Sequence, residues 1–211
     1  MVPPGVSYTP RDFIPTTRFS TISIIEAVTE MPDVQKWIEF AYCKRFRADR
    51  YDRSKVGVHC FEPDYKFDRL WQKPDKYAEM ILQFGCMLGP DFSMFTDFPK
   101  ALSIYNHYRK HWLTAYYQMV YNITVIPTIG WIDKDSFSWC FDGEPEGSIV
   151  AVSNVGLGNR KDAKQIFRDG YNEMLIRLQP IKVLMLTRNF EDYPGPIEYI
   201  RWELHKGDQI E

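Results

Sequence analysis

Short apolar runs that end in polar residues recur along the chain, and they constrain its fold more than any other feature. The run at residues 85–88 stops at Gly89-Pro90 and then presents Asp91 and Ser93. A long amphipathic segment follows, and the next apolar run, at residues 123–128, ends in the same way. A buried strand, a polar end, a helix and a second strand is the order of a βαβ unit. This alternation predicts an α/β fold with parallel strands.

Five such strands are predicted, near residues 56, 86, 123, 148 and 181. Each run is short and apolar, which suits burial on both faces of a parallel sheet. Segments with helical periodicity lie between several of them and suit right-handed crossovers. We therefore expect an α/β core with a mainly parallel sheet of about five or more strands and crossover helices. The sheet is open, or it forms a partial or small (β/α) barrel, although 211 residues are few for eight complete units.

The first 54 residues differ from this pattern. Residues 1–20 contain prolines and show no periodicity, which is typical of an arm that wraps another part of the chain. Val34, Ile38 and Ala41 recur at helical spacing and predict a helix over 33–46. We accordingly divide the chain into an N-terminal arm and helix, residues 1–54, packing on an α/β core domain, residues 55–211.

Residues 44–53 form the most basic stretch of the chain. We interpret it as a solvated loop with local ion pairs, and a surface that contacts phosphate, nucleic acid or a partner is the alternative. The formal net charge of −2 makes nucleic acid the less expected partner. A local basic surface remains compatible with that charge.

Composition points to a cytoplasmic globular protein. Hydrophobic residues make up 45% of the chain and charged residues 26%, which is ordinary for a soluble domain. The four cysteines are widely spaced, with no CxxC, which argues against a zinc module or a disulfide scaffold and fits a reducing compartment. The start of the chain lacks the features of a signal peptide, and no apolar run is long enough to span a bilayer.

Polar residues at the strand ends are the candidates for a functional site. The carboxyl ends of parallel strands share one edge of a sheet, so the side chains that follow them are expected to converge. Asp91 with Ser93 could position a substrate, Asp142 could supply acid/base chemistry, and carboxylates of this kind could bind Mg²⁺. Arg188 could hold a phosphate or carboxylate in bidentate fashion. We predict Asp91, Ser93 and Asp142 as catalytic residues, and the ligand-binding candidates are Asn106, Arg109, Thr128, Trp131, Ser153, Asn154 and Arg188.

Established motifs for phosphate, metal or nucleophilic chemistry are incomplete. Residues 153–160 lack both the Walker lysine and a full GxGxxG pattern, which favours a turn and a helix cap over a phosphate loop. His107 and His111 are four residues apart, a spacing that permits two metal ligands on one helix face. No carboxylate lies between them, so we interpret them as surface histidines beside a solvated or substrate-facing edge, and we predict no metal ligands.

The motifs Gly89-Pro90-Asp91-Phe92-Ser93, Val125-Ile126-Pro127-Thr128, Phe141-Asp142-Gly143 and Ala151-Val152-Ser153-Asn154, with Trp131, resemble an uncharacterised phage- and plasmid-associated family, a domain of unknown function. The resemblance covers roughly residues 55–190. It implies an origin in a mobile element and a place in the cytoplasm of the bacterial host, and it brings no established activity or ligand set.

Two functional hypotheses remain open at this point. The first is a protein that acts on or binds a nucleotide or another small phosphate-containing ligand at the strand ends. The second is a non-catalytic protein that binds a host protein and so inhibits or sequesters a defence component. Whether the chain is an enzyme stays undecided.

Overall fold

A computed structural model of the chain describes residues 25–46, 51–155, 161–187 and 191–201. The strands in these ranges are all parallel, and they lie side by side in the order in which the chain forms them. The first sheet contains β1 (Lys36–Glu39), β2 (Val56–His59), β3 (Cys86–Leu88) and β4 (Val125–Ile126). The second contains β5 (Ile149–Ser153), β6 (Lys182–Thr187) and β7 (Ile197–Arg201).

The two sheets adjoin through the residues just after β4. The Ala151 N–H donates to the Pro127 carbonyl at 2.7 Å, and the Ile129 N–H donates to the Ala151 carbonyl at 2.8 Å. Parallel pairing therefore continues from β4 to β5 through a bridge between Thr128 and Ala151. Within the described ranges β1 does not pair with β7, so the predicted parallel sheet is confirmed in its open form and no closed barrel is present.

Helices connect most of the consecutive strands. Pro74 occupies the first turn of its helix, where its missing N–H costs nothing, and Asn122 ends the long helix with a φ of 52°. The α-helices are α1 (Arg69–Gln72) and α2 (Pro74–Ile81) between β2 and β3, α3 (Lys100–Tyr121) between β3 and β4, and α4 (Lys161–Leu178) between β5 and β6. None of the helices in the described ranges combines the length and apolar character needed to cross a bilayer.

Both faces of the sheet are buried. Met87 of β3 packs with α2 and α3, while its neighbours Cys86 and Leu88 point to the opposite side. That opposite side is covered by the segment before β1, which contributes Val28 and Met31. The same segment accepts a main-chain hydrogen bond, from the Ile149 N–H to the Val28 carbonyl at 2.7 Å. The strands can be continuous apolar runs because each face of the sheet is covered by another layer of the protein.

One local prediction was wrong. Residues 33–46 do not form an α-helix, because Lys36–Glu39 is a strand paired with β2 and Phe40–Arg45 is a 3₁₀ helix. Pairing with the buried strand β2 supplies hydrogen bonds and a place for Ile38 and Phe40, both 0% exposed, and so outweighs the helical spacing. After β4, Lys134–Ser138 forms a 3₁₀ helix that leads into a turn. All four cysteines are buried and free.

Candidate functional site

A cavity of about 340 Å³ lies at the carboxyl ends of β3 and β5, beside the segment that follows β4. Its wall includes Asp91 and Ser93 from the loop after β3, Trp131 from the segment after β4, and Ser153 at the end of β5. The first turn of α4 closes one side, with Asp162 in the wall. Four of the predicted site residues therefore line one cavity, whose volume lies in the range of small-molecule sites.

Aromatic and aliphatic side chains supply most of the remaining wall. Trp131 packs against Phe167, with ring centroids 5.1 Å apart, and its indole lies directly over Gly170 of α4. A Cβ at position 170 would lie 2.2 Å from the indole Nε1, so only glycine leaves room for the ring. The absence of a side chain at position 170 of α4 thus leaves the space that the tryptophan ring occupies in the wall.

Asp91 is the titratable group of this cavity that is best placed for proton exchange. Burial raises the pKa of its carboxyl from the usual 3.8 to about 7; the Lys110 ammonium opposes this rise and the Asp64 carboxylate adds to it. Near neutral pH the side chain is therefore divided between its acid and its carboxylate form. A group in that condition can both donate and accept a proton.

Ser93 is held by a second carboxylate. Its hydroxyl donates to Asp64 Oδ1 at 2.7 Å, and its N–H donates to both Asp64 oxygens at 3.2 Å. In a nucleophilic triad the serine hydroxyl donates its hydrogen bond to an imidazole. Here the hydroxyl donates directly to a carboxylate, so the pair differs from such a triad. The contact fixes the loop that carries Asp91.

Asn106 and Arg109 brace the same loop from α3 and do not line the cavity. Asn106 Nδ2 donates to the Ser93 carbonyl at 2.7 Å. Arg109 donates to Asn106 Oδ1 at 2.7 Å and to Asp68 Oδ1 at 2.8 Å, and its guanidinium lies 3.8 Å from the centre of the Phe92 ring. The Asn106 amide and the two terminal nitrogens of Arg109 therefore form their hydrogen bonds within the protein.

Three other predicted residues also lie outside the cavity wall. The Thr128 hydroxyl donates to the Gly89 carbonyl at 2.8 Å and ties the ends of β3 and β4 together. Asn154 interacts through its side chain with the Tyr193 hydroxyl. Asp142 lies in a turn beside His107. Arg188 falls outside the described residues, so its role stays a prediction.

A buried charged cluster lies on α3, next to the end of β4. Lys110 Nζ donates to the Thr128 carbonyl at 2.8 Å and to Glu144 Oε1 at 2.7 Å. His111 Nε2 lies 2.9 Å from the same Glu144 oxygen, and the Glu144 side chain is 0% exposed. Burial acts to raise the pKa of Glu144, but the Lys110 ammonium and His111 outweigh it and hold that pKa below its ordinary value.

The sequence interpretation missed this cluster. His107 and His111 were expected at the surface and are 1% and 0% exposed, so that prediction was wrong. A usable signal was present, because polar residues recur on α3 every three or four positions and form a stripe along one side of the helix. The stripe, all of it buried, consists of Ser103, Asn106, His107, Lys110, His111, Thr114 and Gln118.

The fold and the cavity define a parallel α/β protein with a pocket of small-ligand size at the ends of its strands. The chain belongs to the family described as Domain of unknown function (DUF4417), whose model matches residues 17–200. This assignment confirms the resemblance inferred from the motifs.

Two phage proteins are similar to the chain. It is 42% identical over 124 residues to the Gene 1 protein of Mycobacterium phage L5, which covers 59% of the chain and 54% of the phage protein. It is 40% identical over 135 residues to the Gene 1 protein of Mycobacterium phage D29, which covers 64% of the chain and 50% of the phage protein. The match thus spans about half the length of these curated relatives. No solved structure matches the chain.

Proposed function

We propose that the cavity binds a nucleotide or a related small phosphate-containing ligand, and that Asp91 exchanges a proton with it. One observation carries this proposal. A carboxyl group with a pKa of about 7, a serine hydroxyl, an indole ring and the first turn of an 18-residue helix line the same cavity.

The first turn of α4 would face the phosphate. The N–H groups at the start of a helix have no partner within the helix, and together with the helix dipole they favour an anion. Asp162 and Ala163 of that turn line the cavity. The charged side chains among the described lining residues are Asp91 and Asp162, both acidic, which disfavours a bare phosphate. A Mg²⁺ ion between carboxylate and phosphate would remove this repulsion, so we propose the ligand as its Mg²⁺ complex.

The planar part of the ligand would lie against the aromatic wall. Trp131 offers a large flat face whose position is fixed by Gly170, and Phe95, 53% exposed, stands at the same cavity. Stacking of a base on such rings is tolerant of sequence and of substituents. Ser153 adds a hydroxyl that accepts from the Val155 N–H at 3.2 Å and can still donate to a ligand oxygen.

Binding measurements test the proposal directly. Nucleosides, nucleoside monophosphates and nucleoside triphosphates would each be titrated with and without Mg²⁺, by calorimetry and by thermal shift. A ligand at a hundred times its Kd stabilises the folded state by about 2.7 kcal/mol, which a thermal shift resolves. We expect nucleotides with Mg²⁺ to bind and nucleosides to bind more weakly.

Variants then locate the site and distinguish chemistry from binding. Asp91→Asn keeps the size of the side chain and removes proton exchange, so the uptake or release of protons that accompanies binding should stop while binding is retained. Ser153→Ala should weaken binding, and Asp97→Asn, at an exposed position outside the cavity wall, should change neither. If no nucleotide binds under any condition, the proposal is wrong. Capture of a host protein, the alternative function, would leave every nucleotide without effect.

A further inference from the structure

A cluster of metal-ligating side chains lies inside the protein, separate from the residues that line the cavity. His107 and His111 project from consecutive turns of α3, and Glu144 follows the turn at residues 141–143. One ligand atom from each of the three lies within 4.8 Å of the others. All three residues are buried, and the two imidazole rings are 4.4 Å apart between centroids.

Three polar atoms of this cluster have no hydrogen bond of normal geometry among the described residues, although the Asp142 main chain lies near the His107 ring. They are Nδ1 and Nε2 of His107 and Oε2 of Glu144. His107 is 1% exposed, and its ring packs edge-on against Trp139, with centroids 5.4 Å apart. Buried polar groups nearly always have a partner, because leaving one without any is costly. Unpartnered atoms on two neighbouring side chains indicate a shared partner that accepts their lone pairs.

We propose that His107, His111 and Glu144 bind a divalent transition-metal ion, with Zn²⁺ as the first candidate. Two imidazole nitrogens and one carboxylate oxygen are the donor set of three-ligand zinc sites, which leave a fourth position open for water or substrate. Fe²⁺ accepts the same donors. Mg²⁺ prefers an all-oxygen environment and keeps several waters, which this buried cluster does not offer.

Lys110 has a defined part in this arrangement. It donates to Glu144 Oε1 at 2.7 Å, which leaves Oε2 as the oxygen available to an ion. Groups that hold a ligating carboxylate in this way orient it for the metal. The ammonium charge also repels the ion, so we expect the site to bind metal more weakly than one without a neighbouring cation. Its two imidazole ligands favour metals that prefer nitrogen.

This inference does not depend on the nucleotide proposal. None of the three ligands lines the cavity, and the test measures the metal itself. Metal binding without nucleotide binding would support this proposal and refute the proposed function. Nucleotide binding without metal binding would do the reverse.

The test uses the full chain purified without a histidine tag and freed of metal with a chelator. Zn²⁺, anaerobic Fe²⁺ and Mg²⁺ would be titrated by calorimetry, with bound metal counted by mass spectrometry after gel filtration. We expect one transition-metal ion per chain and no binding of Mg²⁺ at this cluster. The visible spectrum after loading with Co²⁺ would report whether the coordination is tetrahedral.

Two variants complete the test. His107→Phe fills the space of the ring without its nitrogens, so we expect a folded protein whose affinity for the ion falls at least about 100-fold. His59→Gln changes another buried histidine, on β2, and should leave the affinity unchanged, with circular dichroism checking the fold of both variants. Failure of the wild-type chain to bind either transition metal would overturn the proposal, and so would an affinity unchanged in His107→Phe.

Discussion

Replacing Asp91 with asparagine should make the protein more stable at alkaline pH. Asp91 ionises near 3.8 when unfolded and near 7 when folded, because burial disfavours its charged form. Between these values the folded chain binds more protons than the unfolded chain, so stability falls as the pH rises through this range. An asparagine side chain is neutral in the folded and the unfolded state alike, and Asp91→Asn therefore removes this loss.

The size of the effect can be worked from the shift. Each pKa unit corresponds to about 1.36 kcal/mol, so the change from 3.8 to about 7 sets an upper limit of about 4 kcal/mol. Asp91 is only half-buried, and screening by solvent reduces this to about 2 kcal/mol. We expect Asp91→Asn to exceed the wild type by about 2 kcal/mol at pH 8 and by less than about 1 kcal/mol at pH 5.

Urea unfolding of both proteins from pH 5 to pH 9 measures this difference. Asp97→Asn, an exposed aspartate six positions along the same loop, is the control and should follow the wild type at every pH. Equal stability of wild type and Asp91→Asn at pH 8, or a difference that does not shrink toward pH 5, would refute the assignment of a raised pKa to Asp91.

Two further substitutions test the cavity wall and the charged cluster. Gly170→Ala places a Cβ 2.2 Å from the Trp131 indole nitrogen, so it should lower the free energy of unfolding, measured with urea, by about 1–3 kcal/mol. It should also shift the tryptophan fluorescence, and an unchanged spectrum would contradict the packing. Lys110→Met leaves the Glu144 carboxylate buried without its ammonium partner and should lower the free energy of unfolding by about 3–5 kcal/mol. The Lys134 side chain is 77% exposed, so Lys134→Met should lower it by less than about 1 kcal/mol. Equal losses in these two lysine variants would show that the buried pair is not specially important.

The sequence predicted the strands of the core well, because each is a short apolar run that needs no distant partner to be recognised. β2, β3, β4, β5 and β6 all lie at or within a few residues of their predicted positions. β1 was mistaken for a helix because its strand character depends on pairing with β2, a contact between residues 36–39 and 56–59 that local periodicity does not contain. Long-range pairing of this kind is the part of the fold that pattern alone leaves out.

The site was predictable in part for the same reason. Asp91, Ser93, Trp131 and Ser153 follow strands directly, so the topology alone brings them to one edge. The charged cluster required knowing which side of α3 faces inward. Two apolar residues of α3, Leu102 and Tyr105, are 40% and 42% exposed, while the polar stripe is buried. Lys110 and His111 can be buried on α3 because the Thr128 carbonyl and Glu144 supply their partners.

That stripe makes α3 a rigid link between two distant parts of the protein. Near one end Asn106 holds the Ser93 carbonyl, and near the other Gln118 exchanges two hydrogen bonds with the main chain of Glu26, at 2.9 and 3.0 Å. About twelve residues of helix separate these contacts, a distance of about 18 Å. Sliding the helix along its axis would break both sets of bonds together. A displacement of the segment before β1 would therefore be transmitted through α3 to the loop that carries Asp91.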